Sequence, residues 1–316
     1  MSHFSLGNVY LKKGMNEKAL DEYARAAELA ECVPSAHLNR GIIYFGMLDF
    51  EKAGYEFQME LKKCGESTKA HNNLSVLYRL TGDAENALKE ARLAVFESPQ
   101  HLEAHVNEIL ALRMMGANET AYLVADSLTI FFPSYLPGHY FKGKMAIEKK
   151  NIELAENEFV FIVEKGSSNI LEKYDLSTIY SSQTQYGYKE ERMPGLAYYE
   201  LGLIEVSRGR IDSALILFEN STRILPDYPD GWANLALAYD HKGLYPEALA
   251  AFKRSLDINP NNPVVLYNLG LTMGKAGYLE RAAEVFRMAL EIKPDFPEAS
   301  EKLKITQSLL KSSSEQ

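Results

Sequence analysis

The sequence predicts an all-α chain: a solenoid of about eight helical hairpins closed by one further helix. Three observations carry that prediction. Five of the seven histidines, His3, His37, His71, His105 and His139, stand at a strict interval of 34 residues, and a fixed period of this length marks a repeat architecture. With those histidines set at position 4, units begin just before Met1 and at Pro34, Thr68, Leu102, Leu136, Gly195, Pro229 and Pro263, and position 20 is alanine in all eight. A glycine recurs between the halves of six units: Gly14, Gly82, Gly116, Gly209, Gly243 and Gly277.

Within a unit, positions 4, 7, 8 and 11 form one stripe of a first helix, and positions 20, 24 and 27 form a stripe of a second. Position 8 is small in seven units (Gly7, Gly41, Ser75, Gly143, Gly202, Ala236, Gly270), with Ile109 the exception. Position 24 is aromatic in six: Tyr23, Phe57, Phe159, Phe218, Phe252 and Phe286. Small residues at 8 and 20 let two antiparallel helices approach closely, and the aromatic fills the gap beside them. The recurring glycine ends the first helix and supports a tight turn. Proline at position 32 (Pro99, Pro133, Pro226, Pro260, Pro294) ends the second helix and sets up the next unit. One hairpin cannot bury its own apolar face, so stacking of neighbours completes the core.

Taken in order, residues 1–169 hold units one to five. Unit four (102–133) departs furthest from the pattern, with Ile109 in place of the small residue and Ala125 in place of the aromatic; unit five lacks the closing proline. Residues 170–194 are an insertion. Ile170, Leu171, Tyr174 and Ile179 have helical spacing, whereas the stretch from Ser181 reads as a loop. Its tyrosines Tyr180, Tyr186 and Tyr188, followed by Tyr198 and Tyr199, suit recognition, although a tolerated surface insertion is the plainer reading. Either way it separates units one to five from units six to eight (195–296). Residues 297–310, "PEASEKLKITQSLL", read as an amphipathic capping helix, and 311–316 as a disordered tail.

The stretch 229–260, "PDGWANLALAYDHKGLYPEALAAFKRSLDINP", resembles a tetratricopeptide repeat (TPR): Trp232, Leu235, Ala236, Tyr239, Gly243, Ala248, Phe252 and Pro260 match its signature positions, with Ser255 where alanine is usual. Residues 263–294 match almost as well, and the resemblance covers most of the chain. It implies a right-handed superhelix whose concave groove receives a peptide or a partner helix.

Position 4 in that family normally carries a large apolar residue, as Trp232 and Leu266 do here, so the histidines read as packing groups. Neighbouring helices lie roughly 8–10 Å apart, too far for successive rings to share an ion that needs ligand atoms at about 2 Å. No metal and no cofactor is expected.

Composition excludes other classes. The chain has 316 residues, 46% apolar and 24% charged, with a net charge of −9. An acidic chain without a Lys/Arg run has no general attraction for nucleic acid or anionic lipid. No stretch of about 18 apolar residues exists to insert in a membrane, and the first residues lack the features of a signal peptide. Cys32 and Cys64 are too few for a disulfide framework and read as two free thiols in a reducing compartment, so a cytoplasmic location is expected. The abrupt start into patterned structure leaves open that the chain is an excerpt of a longer protein. There is no phosphate-binding glycine loop, no HExxH and no GxSxG, so the chain reads as non-enzymatic.

The candidate binding residues lie on the first helices, along positions 2, 5, 6, 9, 12 and 13, roughly opposite the core stripe. This stripe is rich in apolar residues, including Leu38, Ile42, Phe45, Val106, Met114, Tyr140, Tyr199, Val206, Leu237 and Tyr267. It either packs neighbouring first helices together or lines a ligand groove. Position 6 is Asn39, Asn73, Asn107, Asn234 and Asn268 in five units. An amide donates and accepts, so such a row can hold an extended peptide by its backbone, as some superhelical family members do; the alternative is local structure. Some members clamp a C-terminal carboxylate with Lys, Asn, Asn, Lys and Arg. The matching positions here read Phe4, Asn8, Asn39, Lys69 and Asn73, and the loss of two cations makes such a clamp weak.

The expected function is a protein-interaction scaffold or adaptor for a protein or peptide partner. A substrate-recruiting domain of a larger enzyme, for instance a glycosyltransferase, is one alternative; self-association is another.

Overall fold

The computed structural model describes residues 2–173 and 190–314. All regular structure in them is helical. The helices are α1 (His3–Lys12), α2 (Asn16–Leu29), α3 (Ala36–Gly46), α4 (Phe50–Cys64), α5 (Thr68–Leu80), α6 (Ala84–Glu97), α7 (Leu102–Met114), α8 (Asn118–Phe131), α9 (Leu136–Glu148) and α10 (Ile152–Lys173). After a single 3-10 turn at Glu190–Arg192 come α11 (Met193–Ser207), α12 (Ile211–Ile224), α13 (Pro229–His241), α14 (Tyr245–Ile258), α15 (Pro263–Lys275), α16 (Leu279–Ile292) and α17 (Pro297–Ser314).

The described chain divides into two compact units, residues 2–149 and residues 150–173 with 190–314. One boundary between them falls at Lys149/Lys150. In each unit consecutive helices pack on one another in chain order, which is a helical solenoid. The expected helix at the start of the insertion is present as far as Lys173, the end of α10; Tyr174, Ile179, Tyr180, Tyr186 and Tyr188 lie outside the described residues. In the second unit α10 packs directly on α11. Gly166 lies so close to Pro194 that a side chain there would collide with it, and Arg208 grips Glu156 with two bonds of 2.9 and 2.8 Å. The last helix runs to Ser314, so residues 311–314 continue the cap where a disordered tail was expected; Leu309 and Leu310 carry the apolar pattern to its edge, and nothing there breaks a helix.

The turns obey one rule. The residue at position 15 has positive φ in every unit: Gly14 (69°), Leu48 (61°), Gly82 (84°), Gly116 (74°), Lys150 (60°), Gly209 (73°), Gly243 (73°) and Gly277 (87°). The next amide then reaches back five residues, as in Met15 N–H to Tyr10 O and Asp83 N–H to Tyr78 O, closing the C-terminus of the first helix as a Schellman motif. Asp49 and Asp83 follow such turns and cap α4 and α6, accepting from Lys52 N and Asn86 N at 3.1 Å.

The core is the contact between positions 8 and 24. A Cβ added to Gly7 would sit 2.7 Å from the Tyr23 ring, at Gly202 2.5 Å from Phe218, and at Gly270 2.6 Å from Phe286. Where position 24 is alanine, position 8 grows. Ser75 stands against the Ala91 hairpin and donates to Ala87 O at 2.7 Å, and Ile109, fully buried, stands in the hairpin of Ala125. The apparent weakness of unit four is thus a volume exchange within one slot.

The cysteines correct an expectation. Cys32, in the loop after α2, and Cys64, the last residue of α4, form a disulfide with Cα atoms 5.0 Å apart; no thiol is free. They occupy positions 33 and 31 of successive units, and stacking brings the end of one second helix beside the end of the next. Disulfides persist chiefly in oxidising compartments, so the cysteines no longer argue for the cytoplasm. Among the described residues, no helix is long and apolar enough to cross a membrane.

Candidate functional site

The position-4 side chains each hold a specific partner, in one of two ways. In the first three units the ring turns to a glutamate nineteen residues on: His3 Nδ1 donates to Glu22 Oε2 at 2.6 Å, His37 to Glu56 at 2.7 Å, and His71 to Glu90 at 2.6 Å. In later units the ring turns back to the carbonyl of the position-32 proline. His105 Nε2 donates to Pro99 O, His139 Nε2 to Pro133 O and Trp232 Nε1 to Pro226 O, all at 3.0 Å. The proline loop supplies the acceptor where it exists; where Glu31 or Gly65 stands instead, the glutamate supplies it. Among the described residues no three His, Cys, Asp or Glu side chains are grouped to hold a metal ion.

Buried glutamates also position the first helices. Glu60 accepts from Ser35 N at 2.7 Å and Leu38 N at 3.1 Å, holding the start of α3, where Ser35 has φ of 67°. A carboxylate there also suits the positive end of the helix dipole.

The asparagines are partly committed between neighbouring first helices. Asn39 Nδ2 donates to Asn8 Oδ1 at 3.3 Å, and the same oxygen accepts from Tyr23 Oη at 2.6 Å. Asn107, only 6% exposed, donates to Asn72 Oδ1 at 2.8 Å. Asn234 donates to Tyr199 Oη at 3.2 Å and to Asp230 O at 3.0 Å. The side chains of Asn73 and Asn268 are half-buried, with no hydrogen-bond partner among the described residues.

The apolar stripe splits in the same manner. At position 5, Leu38, Val106 and Tyr140 are buried, so this edge packs helices together. At positions 9, 12 and 13, Ile42, Leu237, Val206 and Met114 stay exposed, leaving part of α3, α7, α11 and α13 open. Phe45 is half-buried, with its ring 5.5 Å from Phe50, and Lys69 is exposed. Tyr199 meets Tyr228 edge-on at 5.2 Å, and Tyr267 lies 5.2 Å from Phe296. Burial, reinforced by the carboxylates of Asp230 and Glu200, pushes the Tyr199 hydroxyl up to about 12, and burial likewise raises Tyr228. Both remain neutral hydrogen-bonding groups across the physiological range.

Two tetratricopeptide repeat models match the sequence, one at residues 229–262 and the other at residues 2–31 and 264–296. The chain carries tetratricopeptide repeats at those residues. Among solved structures, a chain in the crystal structure of the APC/C hetero-tetramer Cut9–Hcn1 is similar with a TM-score of 0.64 and 17% identity, over 95% of this chain. This chain covers 54% of that one, and at such identity the likeness speaks for the fold alone. YrrB, described as a TPR protein with an unusual peptide-binding site, aligns with a TM-score of 0.45 at 19% identity, over 68% of this chain and 97% of that one; a similarity so low carries no argument. No curated protein matches.

In this TPR chain the carboxylate-clamp positions do not converge as a charged pocket. Phe4 packs on Tyr23 at 5.7 Å, and the Asn8 carbonyl is shared between Tyr23 and Asn39. Sequence reading missed Asn72, Tyr228 and the glutamates Glu22, Glu56 and Glu90. The glutamates did carry a signal, since they recur at position 23 in the three units where the histidine turns towards them.

Proposed function

We propose that this TPR protein is an interaction scaffold that holds a protein segment, as an extended peptide or a helix, against the open strip of its first helices. The observation that carries this reading is the division of that face: position 5 is consumed in packing, while Ile42, Met114, Val206 and Leu237 remain exposed on helices already satisfied by their neighbours. On α5 of the first compact unit, Asn73 adds a half-buried amide with no hydrogen-bond partner among the described residues. We read the role as binding and not catalysis: His3, His37 and His71 are spent on glutamates, and Arg208 on Glu156. The net charge of −9 favours a protein partner over nucleic acid.

The test uses the intact chain and a displayed peptide library. Selected peptides are expected to lose at least ten-fold in affinity with Asn73→Ala while the urea midpoint stays unchanged. Asn107→Ala, by contrast, is expected to lower stability by about 1 kcal/mol by removing the bond to Asn72. Peptides that bind Asn73→Ala and the parent chain equally would remove the amide from the site; failure to select any peptide would sink the reading.

A further inference from the structure

The second helices carry a feature that the first-helix reading leaves unused. Phe96, near the end of α6, is 83% exposed, and Phe131, at the end of α8, is 74% exposed. Leu123 and Ile130 on α8 are also open. From Thr120 to Phe132 the only charge is Asp126, which is held by Lys142 at 2.9 Å. Beside this patch lies a cavity of about 260 Å³ whose apolar lining is Val95, Leu123, Val124, Leu128, Phe131 and Phe132. It opens where position 23, a glutamate in the first three units, has become Val124 and His105 has turned away to Pro99 O. The nearest ionised wall, Glu108, is paired with Arg92 at 2.9 Å.

We infer that this face joins two copies of the chain about a two-fold axis, with Phe96 of each copy seated in the α6–α8 cavity of the other. A two-fold interface must be self-complementary, and this one carries a knob and a hole side by side. A cavity of about 150 Å³ already accepts a benzene ring, so the hole has room for a phenyl group. Charge points to the same occupant. The chain is acidic overall, and other second helices display ionised side chains, such as Glu17, Asp21 and Glu28 on α2 or Lys52, Lys62 and Lys63 on α4. The α8 face meets its own copy without setting like charges together. Two phenylalanines and two aliphatic residues so exposed amount to roughly 500 Å². That falls short of the ~800 Å² per partner of a standard interface, so the dimer is reversible. The inference does not rest on the peptide-binding reading, whose residues lie on the first helices.

Sedimentation velocity of the full chain from about 1 to about 200 µM, the range that resolves a micromolar constant, tests it. The expected result is a mass rising from 35.6 kDa towards the dimer. Phe96→Asp removes the knob and Ser127→Trp fills the hole; each is expected to weaken association at least ten-fold with an unchanged far-UV circular dichroism spectrum. A parent chain that stays monomeric throughout overturns the inference, even if the cavity binds a phenylalanine-bearing helical peptide. Dimerisation as strong as the parent's in either variant overturns it as well.

Discussion

At the scale of single residues, the backbone constrains this chain as firmly as any side-chain contact. Position 15 takes positive φ in all eight units, yet Leu48 and Lys150 hold it without being glycine. A side chain in that region costs roughly 1–2 kcal/mol, partly offset because glycine loses more freedom on folding. Leu48→Gly and Lys150→Gly are therefore each expected to raise stability by about 0.5–1 kcal/mol in urea unfolding, with the slope of the transition unchanged. A loss of stability at Leu48→Gly would show that its side chain contributes packing that its 64% exposure does not suggest. The glycines at position 15 were legible from their period alone. Their two substitutes were not, because a helix-forming residue in αL looks like any other until the backbone is seen.

At the scale of the hairpin, the close approach of two helices is decided by one pair of positions. Six units solve it with an aromatic at 24, while Ile109 with Ala125 solves it the other way round. Ala125→Phe alone is expected to cost about 2–3 kcal/mol by overpacking, and Ile109→Gly alone about 3–4 kcal/mol through the cavity it leaves. Both together should cost clearly less than their sum, with a coupling of at least about 1 kcal/mol in a double-mutant cycle. Additive costs would mean that the two residues do not share a slot. The sequence pattern shows both departures as defects; the packing of α7 on α8, with both residues fully buried, is what lets one compensate the other. The position-6 asparagines are a parallel case. Their recurrence was visible, but Asn39, Asn107 and Asn234 spend donors on the neighbouring helix while Asn73 does not, and the difference depends on what position 5 or 9 of the preceding unit offers.

At the scale of the whole chain, the Cys32–Cys64 bond closes a loop with a separation of 32 residues. Tying a loop of that length in the unfolded chain is worth about 3–4 kcal/mol in the chain-entropy account. Reduction, or Cys32→Ser with Cys64→Ser, is expected to lower the urea midpoint of a transition in residues 2–149, read by hydrogen exchange of α2 to α4. A midpoint indifferent to reductant would mean the thiols are not joined in solution. In repeat arrays each element contacts only its neighbours, so the loss should fade along α5 to α8. The cysteines lie almost one period apart, and that was the available clue. It was outweighed by their small number, which says nothing about where stacking puts them.

The sequence by itself determined what repeats: the 34-residue period, the two helices of each unit, the turn between them, and the small and aromatic positions that let them touch. These are local properties, encoded within one unit and written out eight times. The tertiary structure alone decided which acceptor each histidine takes, which amides remain open, that the cysteines are bonded, and that a knob and a cavity lie side by side on α6 and α8. Each of these is set by the distance between side chains in different units, and that distance appears only when the hairpins stack.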